Sequence, residues 1–187
     1  VWRFGAVNWD AWWLSVPLVA AEMFGLLHTL GLQYTVWPRQ APKISHDEIP
    51  MLRPIFIFIP TVNEGRDVLI PTVQGALRAQ KRYLAAYPNG KVTIVICNDG
   101  YVANTPDWKE AERIAERFQV TCITRTVEGG AKAGNIENAR QVMGATGDAL
   151  IVIFDADQIA EPEFLLKMIP PFSDSSIGWV QSGQYYR

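Results

Sequence analysis

Residues 149–157 read A-L-I-V-I-F-D-A-D: a run of apolar and β-branched residues that stops at two carboxylates, Asp155 and Asp157. The run does not alternate polar with apolar, so it predicts a strand buried on both faces, which places it in a parallel sheet covered by helices. Open parallel sheets bind ligands just beyond the carboxyl ends of their strands. Asp155 and Asp157 stand at such an end. Two carboxylates separated by one small residue are able to hold a hard divalent cation, Mg²⁺ or Mn²⁺, whose remaining ligands come from phosphate oxygens. The plainer alternative is a strand followed by a solvated acidic turn.

The rest of the chain repeats this pattern. Residues 55–59 (I-F-I-F-I) predict a strand ended by Pro60, followed by the polar turn 61–65 (T-V-N-E-G) and a helix over 67–83. A second strand is expected over 91–97, then Asn98-Asp99-Gly100, then a helix over 106–118 with Thr105 as its cap. A strand at 120–124, a helix at 133–143, the strand that opened this section, a helix at 162–169 and a fifth strand at 177–181 complete the series. Strands alternating with helices at these spacings define an α/β fold built from βαβ units, hence a doubly wound parallel sheet. Thr61, Asn63 and Glu64 follow the first strand, Asn98 and Asp99 the second, and Asp155 and Asp157 the fourth. All three polar clusters are therefore expected on one edge of the sheet, around one nucleotide-sized crevice.

Neither G-x-G-x-x-G after the first strand nor G-x-x-x-x-G-K-[ST] occurs, which disfavours dinucleotide cofactors and P-loop chemistry. A metal on Asp155 and Asp157 is then the natural way to manage a diphosphate, and it would stabilise that diphosphate as a leaving group. Lys132, in the sequence G-G-A-K-A-G-N of residues 129–135, adds a cation where a helix begins and where the helix end contributes partial positive charge. Taken alone, Lys132 reads as an ordinary exposed lysine.

Ahead of this domain, residues 12–37 form a 26-residue apolar run with one carboxylate, Glu22, and no Lys or Arg. As a helix it would span roughly 39 Å, enough for a bilayer core of about 30 Å. Trp9, Trp12, Trp13 and Trp37 flank it like an interfacial aromatic belt. The expectation is a membrane-associated segment over 1–37, a linker along the membrane surface over 38–54 with its four prolines, and a catalytic domain over 55–187. The alternative is a core helix of a soluble protein. Glu22 at membrane depth implies neighbouring helices, hence accessory membrane partners. Arg39 and Lys43 after the span, against Arg3 and Asp10 before it, place the domain in the cytoplasm at an inner or plasma membrane. Net charge of −2, from 17 basic and 19 acidic residues, gives no basic footprint for nucleic acid. Cys97 and Cys122 fall in predicted strands and read as reduced core residues. His28 and His46 have no metal-ligand spacing.

The motifs F-I-P-T-V-N-E, N-D-G, K-A-G-N, F-D-A-D and V-Q, in this order, resemble the processive glycosyltransferases of family 2, the cellulose synthase-like members above all. The resemblance runs from about Trp9 onward. It implies a GT-A fold, a UDP-sugar donor, a growing glycan acceptor, a divalent metal and inversion at the anomeric carbon. By motif position, Thr61, Asn63 and Glu64 with Asp99 would hold the uridine, and Lys132 would stand beside the nucleotide. Asp155 would engage UDP, Asp155 and Asp157 the metal, and Gln181 the acceptor side. UDP-glucose follows from the cellulose synthase likeness, although hyaluronan and N-acetylglucosamine polymers use similar motifs.

The chain departs from the family pattern at several places. Val62 replaces the Tyr of P-T-Y-N-E, Asn98 the first acid of D-D-G, and S-G-Q-Y-Y-R follows V-Q in place of T-P-x-x-F-x-N. The T-E-D segment with the general base and the Q-x-x-R-W segment are absent and are expected beyond Arg187. Residues 1–187 are accordingly expected to be a donor-binding half without synthase activity, since transfer needs a base for the acceptor hydroxyl. Two other readings stay open: a non-processive family 2 transferase with a lipid or phosphorylated acceptor, and a non-catalytic membrane subunit that senses nucleotide or scaffolds.

Overall fold

The structure is a computed structural model that describes residues 5, 8–37 and 52–185. The chain divides into two units, residues 1–43 and 44–187. Most of the expected linker therefore lies outside the described residues, as do Arg39, Lys43 and His46.

In the first unit a 3-10 turn, Trp9–Ala11, leads into α1, Trp12–Val36. The Asn8 side chain accepts from the Asp10 N–H at 3.0 Å and caps the entry. Apolar side chains are spread all round α1 and are exposed within this unit, Leu18, Phe24, Leu27 and Leu32 among them. The hydroxyls of Thr29 and Thr35 bond back to the carbonyls of Gly25 and Leu32, at 2.8 and 2.7 Å. A helix apolar on every side needs an apolar surrounding. The stretch Trp9–Thr35, which contains an 18-residue window of mean hydropathy 1.4, is long and apolar enough to cross a membrane.

The second unit holds a four-stranded parallel sheet: β1 Ile55–Thr61, β2 Val92–Asn98, β3 Thr121–Thr124 and β4 Leu150–Ile153, in spatial order β3-β2-β1-β4. Odd-numbered residues of β1 (Ile55, Ile57, Ile59) face α2, Arg66–Ala86, together with Ile94 and Ile96 of β2. On α2 the buried positions Leu69, Thr72, Val73, Ala76, Ala79 and Tyr83 recur at helical spacing and form the stripe that meets this face. Helices α3, Glu110–Phe118, and α5, Phe164–Met168, add Ile114 and Leu165 to the same core. Phe58, Val95 and Cys97 point to the opposite face, which α4, Ala131–Val142, covers with Ala139. The sheet is therefore covered on both faces at β1 and β2, but not at β4. Contrary to the expectation of a strand buried on both faces, β4 is an edge strand whose Ile151 and Ile153 are 41 % and 49 % exposed, because α4 packs over β1 and β2 and does not reach it.

Local departures from expectation have local causes. β1 runs on through Pro60 to Thr61, paired with Cys97 and Asn98 of β2. Residues of a parallel strand point their N–H and C=O alternately to either neighbour. Phe58 faces β4, accepting from the Phe154 N–H, so Pro60 faces the same way, past the last paired residue of β4. The missing N–H of Pro60 has nothing to bond there. Helix α3 begins at Glu110, not at Pro106, and Thr105 does not cap it: the Thr105 hydroxyl bonds the carbonyl of Gly100 at 3.2 Å. The helix expected over 162–169 is reduced to α5. The fifth strand expected over 177–181 is not formed, and Trp179 is 76 % exposed. An apolar segment becomes a strand only against a partner, and Gly178 weakens this one.

Helix α2 also fixes the segment after β4. The Thr72 hydroxyl donates to the Ala156 carbonyl at 2.6 Å, and a Cβ on Gly75 would lie 2.9 Å from the Ala160 backbone nitrogen. Gly75→Ala is expected to destabilise the domain by about 1–3 kcal/mol, through forced separation of α2 from this segment, as read by chemical denaturation.

Candidate functional site

Strand order determines where the site lies. From β1 the chain passes to β2 on one side, whereas β4 lies on the other. The carboxyl ends of β1 and β4 are thus the switch point of the sheet, where a crevice opens because the connections diverge. A cleft of about 470 Å³ lies there. Pro60, Val62 and Glu64 line it from β1 and its turn, Lys132 and Asn135 from α4, and Asp155 and Asp157 from the segment after β4.

The turn after β1 is wrapped around Glu64. One carboxylate oxygen, Oε2, accepts from the Val62 N–H at 2.7 Å, the Thr61 hydroxyl at 2.8 Å and the Asn63 N–H at 3.1 Å. Partial burial pushes the Glu64 pKa up, but these donors, Val62 and Thr61 foremost, outweigh it and hold the carboxyl below its ordinary value. A depressed acid stabilises the fold above its unfolded pKa, near 4.5, and that contribution is lost as pH falls below it. Glu64 is therefore a carboxylate at neutral pH. Thr61 is buried beneath it, and Asn63 contributes its backbone N–H.

Asp99 is placed differently from the sequence-based expectation. It is buried, and both its oxygens receive Arg125, Nε on Oδ1 and Nη2 on Oδ2, each at 2.6 Å. Arg125, only 6 % exposed, uses its third nitrogen, Nη1, on the Gly129 carbonyl. Asp99 does not line the cleft. It acts through Arg125, which ties the end of β2 to the loop that precedes α4 and Lys132. That loop needs its glycines: Gly129 and Gly130 have φ of 146° and 68°, and a Cβ on Gly134 would fall 2.0 Å from the Gly129 carbonyl oxygen. Asn98 is also structural. Its amide nitrogen donates to the Trp108 carbonyl at 2.8 Å and its oxygen accepts from the Gly100 N–H at 2.9 Å. A carboxylate could not make the first of these bonds, so the amide suits this loop.

On the opposite wall, Lys132 forms an ion pair with Oδ1 of Asp155. Gln158 donates to Oδ2 at 3.3 Å and accepts from the Asp155 N–H at 3.2 Å. Asp157 is exposed at the cleft mouth. Asn135 is 1 % exposed; its amide nitrogen donates to the Cys97 carbonyl at 2.7 Å, while its oxygen has no partner among the described residues. Among the described residues no group of three or more His, Cys, Asp or Glu gathers to hold a metal. Asp155 and Asp157 fit a divalent ion as a two-carboxylate set completed by phosphate oxygens, the arrangement Mg²⁺ favours. Gln181 lies in the exposed coil after residue 176 and does not line the cleft. Cys97 and Cys122 are free thiols, pushed by burial to pKa values of about 12 and 11, and take no part. Sequence analysis assigns no role to Arg125, Asn135 or Gln158; the one signal for Asn135 is its place in the K-A-G-N motif, and Arg125 follows directly on the end of β3.

A parallel α/β domain with an acid-rimmed cleft at its switch point is the class this architecture defines. The family model described as glycosyltransferase like family 2 matches residues 53–187, and the chain belongs to that family. It is 32 % identical over 196 residues to the cellulose synthase 1 catalytic subunit [UDP-forming] of Komagataeibacter xylinus, covering 99 % of this chain and 24 % of the relative. It is 30 % identical over 176 residues to the cellulose synthase catalytic subunit [UDP-forming] of Xanthomonas axonopodis pv. citri, covering 92 % and 22 %. A beta-monoglucosyldiacylglycerol synthase of Nostoc sp. is 26 % identical over 170 residues, covering 90 % and 33 %. The chain spans about a quarter of the length of the two cellulose synthase relatives.

Removing one partner of a buried ion pair leaves the other charge stranded, at a cost of about 3–5 kcal/mol. Arg125→Met is expected to lose that much stability in urea unfolding, whereas the exposed pair of Arg82 with Glu163 should tolerate Arg82→Met with a loss below about 1 kcal/mol.

Proposed function

We propose that this chain is the donor-binding part of a membrane-anchored, inverting glycosyltransferase that elongates a β-linked polysaccharide from a UDP-sugar, UDP-glucose by the likeness to cellulose synthases. The observation that carries this reading is the convergence of Glu64, Lys132, Asp155 and Asp157 on one cleft at the switch point. A nucleoside diphosphate needs acceptors for its hydroxyls and base edge, and positive charge for its phosphates. Glu64 supplies an ionised acceptor on the β1 side. Lys132, on the first turn of α4, supplies a cation with the helix end behind it. Asp155 and Asp157 would hold Mg²⁺ or Mn²⁺, which when bound lends Lewis-acid stabilisation to the departing diphosphate. Thr61, Asn63 and Asp99 serve the uridine side by holding the two loops in shape. Gln181 is assigned to the acceptor side by its motif. Membrane anchoring by α1, with the catalytic domain on the cytoplasmic side and accessory membrane subunits beside it, belongs to the same proposal.

The likeness to the beta-monoglucosyldiacylglycerol synthase supports a second reading, transfer of a single sugar to a lipid acceptor. One transferred sugar and no polymer from the full-length protein would favour it.

Calorimetric titration of UDP into the full-length protein tests the donor site. Binding is expected with Mn²⁺ or Mg²⁺, to fall about tenfold or more with EDTA, and to fall likewise in the double variant Asp155→Ala, Asp157→Ala. Undiminished, metal-independent binding by that variant would contradict the proposal.

A further inference from the structure

Asp155 already has a cation. Its Oδ1 holds the Lys132 ammonium and its Oδ2 receives Gln158, whose own oxygen accepts from the Asp155 backbone N–H. Gln158 thus grips Asp155 at two points from three residues away, while the Lys132 side chain is 56 % exposed and free to turn on its four-carbon stem. An ammonium and a divalent cation repel one another and cannot share the same carboxylate oxygen at contact distance. Lys132 therefore occupies the Oδ1 position that a metal on Asp155 would use, and the two cations compete for that oxygen.

We propose that Lys132 and the divalent cation exchange on Asp155, with Gln158 as the positioning residue that holds the carboxylate in place throughout. This rests on the donor-site reading above. In the absence of nucleotide, Lys132 occupies Oδ1 and keeps metal affinity low. A nucleoside diphosphate offers the ammonium a better partner in its phosphate oxygens. Lys132 then turns to the diphosphate, Oδ1 is released to the cation, and metal and nucleotide load together. The coupling is reciprocal: whatever factor the nucleotide adds to metal affinity, the metal adds to nucleotide affinity.

The test is Mn²⁺ affinity of the full-length protein, read from the electron paramagnetic resonance of free Mn²⁺, with Asp155→Ala giving the background. Without UDP, Lys132→Met is expected to bind Mn²⁺ about two- to fivefold more tightly than wild type, the worth of an exposed charged pair. Lys132→Gln should show the same gain, and Lys132→Arg, which keeps the cation, should not. The enhancement of Mn²⁺ affinity by UDP should shrink in the Met and Gln variants. Mn²⁺ affinity unchanged or reduced in both neutral variants, with wild type still binding UDP in the presence of Mn²⁺, would overturn the exchange and leave the donor site standing. Wild type failing to bind UDP with Mn²⁺ would overturn both.

Discussion

The buried guanidinium of Arg125 holds the cleft in shape. It lies at the end of β3, grips both oxygens of Asp99 at the end of β2, and reaches the Gly129 carbonyl in the loop before α4. The end of β2, the end of β3 and the loop before α4 thus meet on one side chain. Burying a charge pair is costly unless its geometry is good and its remaining donors are used, and here three guanidinium nitrogens are bonded. The consequence is positional. Gly129 and Gly130 are held in backbone conformations that start α4 beside the end of β1, which brings Lys132 and Asn135 to the cleft wall.

The β1 turn is organised around Glu64 in the same manner, by donors from Thr61, Val62 and Asn63. Each wall thus uses a charged side chain for its own architecture; Glu64 also faces the cleft, whereas Arg125 is buried away from it. At the α4 wall the buried Asn135 oxygen finds no partner among the described residues.

Much of this was legible in the sequence. β1 and β2 announced themselves because strands covered on both faces carry unbroken apolar runs. β4 carries such a run too, although Ile151 and Ile153 are left exposed at the sheet edge, and the acids at the strand ends fell where parallel topology puts them. The helical stripe of α2 was equally plain. What the sequence hid depended on partners. The segment 177–181 is apolar enough to read as a strand but does not form one. Residues 105–109 look like a helix start, yet Thr105 is drawn into the loop that follows β2. Asp99 reads as a ligand-facing acid until Arg125, 26 residues on, claims both oxygens. Asn98 reads as a lost carboxylate until its amide is found bonded to Trp108 and Gly100. Pairings of this kind are set by the fold, not by local spacing.

The central claim is that the switch-point cleft between β1 and β4 receives a nucleoside diphosphate together with a metal. Anomalous diffraction at the manganese edge, from the full-length protein crystallised with UDP and Mn²⁺, addresses it directly. The account predicts one manganese peak at the carboxylates of Asp155 and Asp157, in contact with diphosphate density inside the cleft. A manganese peak away from both carboxylates, or UDP bound elsewhere on the domain, would contradict it.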